Sequence, residues 1–154
     1  GFSFSSYLNL VRLGVPEDDI STILMADHGL RLYGNAVIVN TEFAAANSDT
    51  VKAFLGAVAA GWKDAIADPT AAAAALVKRN PAADAALEER RLDLAINANV
   101  LTDYVKVNGM GGIDSARFSA AIKQLSETYD YKADPDAALY FTDAYLPAGG
   151  FPVK

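Results

Sequence analysis

The opening residues Gly1-Phe2-Ser3-Phe4-Ser5-Ser6 set three hydroxyls and two aromatic rings just ahead of a helix-forming stretch. A helix start suits an anion, because its free N–H groups and the helix dipole attract negative charge. The hydroxyls of Ser3, Ser5 and Ser6 add donors, while Phe2 and Phe4 can stack on a planar ligand or wall a pocket. The competing reading is a plain helix cap with two core aromatics. A second group follows at Asp27, His28, Tyr33 and Asn35. Asp27 can accept from an amine or a ring amino group, and Tyr33 or Asn35 can hydrogen-bond a ligand. The alternative for Asp27 and Asn35 is a turn in which they satisfy exposed backbone groups. His28 reads as a solvated histidine rather than a catalytic base.

Other chemistries lack their residues. With no cysteine, disulfides, thiolate catalysis and cysteine metal sites are excluded together. A single histidine makes a transition-metal cluster improbable. No catalytic residue, metal or cofactor is therefore expected. The net charge of −6 argues against nucleic acid and against an anionic membrane surface, leaving a small molecule or a protein as partner. Gly109-Met110-Gly111-Gly112 resembles a phosphate loop only superficially, since no strand precedes it and no Lys-Ser/Thr follows. It is expected to be a turn.

These residues must be positioned by the elements around them. Residues 5–14 carry Tyr7, Leu8, Leu10, Val11 and Leu13 and stop at Gly14, as a helix does. Thr22-Ile23-Leu24-Met25-Ala26 and Ala36-Val37-Ile38-Val39 read as two short strands. Asn47 or Ser48 can cap a helix bearing Val51, Phe54, Leu55, Val58, Trp62 and Ile66 on one face, with Trp62 in the core. Asp68-Pro69 caps and opens the alanine-rich helix of residues 71–75, and Asn80-Pro81 repeats that punctuation. A longer helix is expected over residues 84–104. On it Glu88-Glu89-Arg90-Arg91 forms a solvated face, and Asn97 and Asn99 are exposed. Asp114 can cap a helix striped by Phe118, Ala121, Ile122, Leu125 and Tyr129. Asp134-Pro135 opens a last turn around residues 137–140, and the tail is irregular. Two strands do not make a stable sheet unaided, so their partners are expected outside these residues. The start on Gly1, with neither Met nor an export signal, likewise suggests part of a longer chain.

The order of these pieces resembles the NMT1-like branch of periplasmic substrate-binding proteins of ABC importers. The matching text begins with Ala26-Asp27-His28-Gly29, Leu32-Tyr33-Gly34-Asn35 and Val37-Ile38-Val39. It continues through Asn47-Ser48-Asp49-Thr50-Val51-Lys52-Ala53-Phe54, Gly61-Trp62, Ala67-Asp68-Pro69 and Ala72-Ala73, and closes on Thr142-Asp143-Ala144-Tyr145-Leu146-Pro147. The branch serves uptake of nitrate, alkanesulfonates, taurine and thiamine pyrimidine precursors. The resemblance implies an α/β, type II periplasmic-binding-protein fold, of which this chain is a mostly helical C-terminal fragment with two or so short strands. Residues 1–29 would end the second lobe, residues 30–35 would be the hinge crossover, and residues 36–154 would belong to the first lobe.

On that template Phe2, Ser3, Phe4, Ser5 and Ser6 line the cleft, while Asp27, Tyr33 and Asn35 flank its floor. The implied partners are a small ligand and an ABC permease, in the periplasm. Isolated, the chain is expected to self-associate through exposed strand edges. A sensor module with the same fold is an alternative. A thiamine-pyrimidine-synthase-like enzyme is another, but it carries a cysteine-rich stretch near Leu30-Arg31-Leu32-Tyr33-Gly34, and cysteine is absent here.

Overall fold

A computed structural model describes residues 1–30, 32–132 and 135–153. The chain begins with a π-helical turn, Ser3–Tyr7, that runs into helix α1, Leu8–Arg12. Gly14 at φ 90° ends it in a backbone conformation that a β-carbon disfavours. Short 3₁₀ turns follow at Glu17–Asp19 and Met25–His28. The rest is a run of helices: α2 Thr41–Ala46, α3 Ser48–Ala67, α4 Pro69–Arg79, α5 Ala85–Ala95, α6 Asp103–Asn108 and α7 Ser115–Thr128. A further 3₁₀ turn, Ala137–Leu139, precedes the tail.

The punctuation that starts these helices is side-chain capping. Asp68 accepts from the Ala71 amide at 2.9 Å, with Pro69 in the first turn of α4. Asp84 accepts from Leu87 at 2.8 Å and Asp114 from Arg117 at 2.7 Å, each quieting an orphan amide of the first turn. Some expected boundaries move. Asn40 caps an unforeseen α2, and Asn47 closes it by donating from Nδ2 to the Phe43 carbonyl at 3.0 Å, so α3 starts at Ser48 without a side-chain cap. Asn80-Pro81 forms a turn, closed by Ala83 N–H on the Asn80 carbonyl at 2.9 Å, and opens no helix. The long helix breaks: α5 passes into a π-helical turn, Ile96–Val100, and α6 restarts on a Thr102 cap. Within that wider turn, Asn97 donates to the Asp93 carbonyl at 2.9 Å, which accounts for an asparagine there. The last turn is capped by Asp136 at 3.0 Å, while the expected cap Asp134 lies outside the described residues.

The two expected strands are absent from the described residues. Part of the first is the Met25–His28 turn, and residues 36–39 carry no ladder. The physical reason is the need for a neighbour: a strand persists when another takes its N–H and C=O groups. Among the described residues the one β-type pairing is an isolated antiparallel bridge between Met110 and Phe151. Its hydrogen bonds of 2.8 and 2.9 Å pin the tail to the turn after α6. Glycine is required in that turn, because a β-carbon on Gly109 would lie 2.6 Å from the Gly149 carbonyl oxygen.

The core is thin. The buried apolar residues among those described are Leu8, Ala44, Val51, Ala59, Ala73, Ile96, Met110 and Ala121, and four of these eight are alanines. The chain exposes 11019 Å², where a compact monomer of 16.2 kDa exposes about 7,500 Å². Much of the excess is apolar. Ile23 is 70% and Ile38 92% exposed, both on the segments that the sequence assigned to strands.

Candidate ligand-binding surface

The N-terminal residues form a tight turn. The Phe2 carbonyl accepts from the Ser5 amide at 3.0 Å, the Ser6 amide at 2.9 Å and the Ser5 hydroxyl at 3.2 Å. Those two amides and that hydroxyl are thus committed to the chain itself, which reduces the donor set available to an anion. The two rings stack, with centroids 4.9 Å apart and planes inclined by 13°. Phe2 remains 45% exposed, so the stack presents an aromatic surface to solvent. Its Cε1 lies 4.0 Å from where a Gly34 β-carbon would stand. The fold therefore brings Phe2 and Phe4 alongside the Tyr33–Asn35 stretch, uniting two groups that sequence left thirty residues apart.

Tyr33 is held by α7. Its hydroxyl accepts from the Asp114 amide at 2.8 Å, and the Arg117 guanidinium sits 4.5 Å from its ring centroid. Phe118 packs edge-on at 6.0 Å, and Arg117 also donates to the Leu32 carbonyl at 3.0 Å. Further along α7, Gln124 donates to the Gly29 carbonyl at 3.0 Å. Gly29 and Leu32 are thus both tied to one helix. Nearby Tyr104 donates to the Ile113 carbonyl at 2.7 Å. Burial, then the charges of Tyr33 and Asp114, push its phenol above the usual range. A cavity of about 440 Å³ opens between Gly29 and the α7 residues Arg117, Ala120 and Gln124. Asp27 lies two residues before Gly29, exposed on the Met25–His28 turn. Asn35 is exposed as well.

The charged run on α5 proves to be structural. Arg90 donates to both Glu17 carboxylate oxygens, at 2.9 and 2.5 Å, while the Tyr7 hydroxyl donates to one of them. Arg91 donates to the Phe4 carbonyl and, through Nε, to Glu88 at 3.1 Å. Glu89 accepts from the Thr70 hydroxyl at 2.7 Å. The expected solvated face is corrected accordingly: Glu89 ties α5 to α4, and Arg90 and Arg91 tie it to the N-terminal segment, while Glu88 braces Arg91 within the helix. The hydrogen bonds from Arg90, and then from Tyr7, hold the Glu17 carboxyl down at about 2. The same contact with Glu17 raises the Tyr7 phenol.

Beneath Phe4 lies a second cavity, of about 430 Å³, walled by Val58, Trp62, Leu76 and Leu92, with Arg91 and Glu88 at its edge. Trp62 is half-buried on that wall rather than enclosed in a core. Sequence placed Arg90 and Arg91 only on a solvated face and did not single out Glu17, Arg117 or Gln124. Their partners stand 73 to 95 residues away in the chain, and no local spacing announces such pairings.

Over residues 2–72 the chain matches the family model described as NMT1/THI5 like. The resemblance read from the sequence therefore holds for that stretch, which contains every candidate ligand residue. The match covers less than half of the chain; the family it describes has the periplasmic-binding-protein fold and a solute-binding role in general, and its members are typically extracytoplasmic. Comparison with curated proteins and with solved structures returned no match. No helix among the described residues is long and apolar enough to cross a membrane. No cluster of His, Cys, Asp or Glu among them could hold a metal ion.

Proposed function

We propose that this chain supplies one wall and the hinge of a ligand cleft in the solute-binding component of an ABC importer. Residues 1–29 end one lobe, residues 30–35 cross between lobes, and residues 36–154 belong to the other. The observation that carries the reading is the stacked Phe2–Phe4 pair beside Gly34, on the stretch that matches the family. A half-open aromatic surface next to a crossover suits a planar heteroaromatic or a small organic anion, held by ring contact and a few polar groups. Capture and release need no covalent step, so the protein acts as a carrier, working outside the cytoplasm with a permease as partner. The exposed residues Ile23, Val37 and Ile38 then await strands from beyond these residues or, in isolation, from a second copy.

A thermal-shift screen of the full-length protein with nitrate, taurine, other alkanesulfonates, carboxylates and aminopyrimidines tests this. A ligand present at a hundred times its Kd adds about 2.7 kcal/mol to stability, which is a readily visible shift. Stabilisation by one of these classes, reduced by Phe2→Ala, supports the reading. No shift with any of them sinks it.

A further inference from the structure

We propose that Arg90 and Arg91 are positioning residues, which hold the Phe2–Ser6 segment as a strap across the Trp62 cavity. This rests on the ligand-facing role given to that segment above. The two arginines are consecutive on α5, so their side chains leave the helix in directions about 100° apart. One reaches each end of the N-terminal element. Arg91 grips its start through the Phe4 carbonyl, and Glu88 holds the guanidinium for that contact at 3.1 Å. Arg90 grips the loop beyond α1 through both oxygens of Glu17, with Tyr7 completing the cluster and its ring 5.8 Å from the guanidinium.

Between the grips the apolar hold is concentrated in one residue, Leu8. Among the described residues, Leu8 is the only fully buried side chain of the first nineteen, while Leu10 and Leu13 are 43% and 74% exposed. Phe4 forms a wall of the cavity that Trp62 lines, and its ring stacks on Phe2. Displacing the strap would therefore uncover Trp62 and disperse the aromatic stack in one movement. Bidentate arginine geometry matters here, since lysine supplies a point charge without the fork.

Trp62 is the only tryptophan in the chain, so its emission reports on this cavity alone. Acrylamide quenching of Trp62 in this 154-residue chain reads the strap without any ligand. Glu17→Gln and Arg91→Ala should raise the quenching constant and shift emission to the red, with far-UV circular dichroism unchanged. Arg90→Lys should fall between wild type and Glu17→Gln. Exchanging the charges in Glu17→Arg/Arg90→Glu should restore quenching towards wild type. Unchanged quenching in both single variants overturns the proposal, as does a charge exchange that leaves Trp62 as open as Glu17→Gln. Should Arg91→Ala lose helical signal, Glu17→Gln decides alone, because it leaves α5 intact. If a solute from the screen binds, Arg91→Ala should weaken it roughly tenfold, as loss of a charged hydrogen bond does. Failure of every solute would sink the carrier reading yet leave the quenching result standing.

Discussion

The segment of residues 20–39 and the helical body of residues 48–128 are both more than half apolar and end differently. In the body, Asp68, Asp84, Thr102 and Asp114 each cap the helix that follows, and apolar faces meet one another across α3, α4 and α5. In residues 20–39, Ile23 and Ile38 point largely into solvent, and the segment is tethered by α7 through Leu32, Tyr33 and Gly29. A helix satisfies its backbone internally, whereas a strand depends on a neighbour. The difference is therefore one of who supplies the hydrogen bonds, and not of hydrophobicity.

That contrast can be broken or sharpened by mutation. The largest effect is expected at Leu8, fully buried where the N-terminal element meets the body. Leu8→Ala should cost about 2–4 kcal/mol, read as a lower urea midpoint at unchanged slope. Next comes Asp114→Ala, which removes the α7 cap beside the Tyr33 contact and should cost about 1–2 kcal/mol. A loss in Asp114→Ala no greater than in Asp49→Ala, whose carboxylate is exposed in the first turn of α3, would mean that the cap contributes nothing to α7.

The grip on Glu17 gives a smaller, pH-bound effect. Its carboxyl is depressed from 4.5 to about 2 in the folded chain by the hydrogen bonds from Arg90 and Tyr7. A depressed acid stabilises above its unfolded value, and that contribution is lost as pH falls through the folded one. Trp62 quenching should thus rise between pH 4.5 and 2 in wild type and stay flat there in Glu17→Gln. The smallest effect belongs to the open segment. Ile38→Lys should change stability by less than about 0.5 kcal/mol, since the side chain is 92% exposed. It should also reduce any self-association seen by light scattering, by placing a charge on the open segment. A large loss of stability in Ile38→Lys would mean that this segment is packed, contrary to the contrast drawn here.

Sequence alone determined helices α4 and α7 with their caps at Asp68 and Asp114, and the family resemblance over residues 2–72, because these signals span a few residues or a fixed order. Phe2 and Phe4 were legible as candidate ligand residues for the same reason, aromatic rings and hydroxyls standing together. What only the tertiary structure decided is which distant groups meet: Arg91 on Phe4, Arg90 on Glu17, Tyr33 on Asp114 and Phe2 beside Gly34. Charged runs and lone tyrosines carry no address for partners more than seventy residues off. The missing strands follow from the same physics, since β-branched residues state a preference that only a neighbouring chain segment can fulfil.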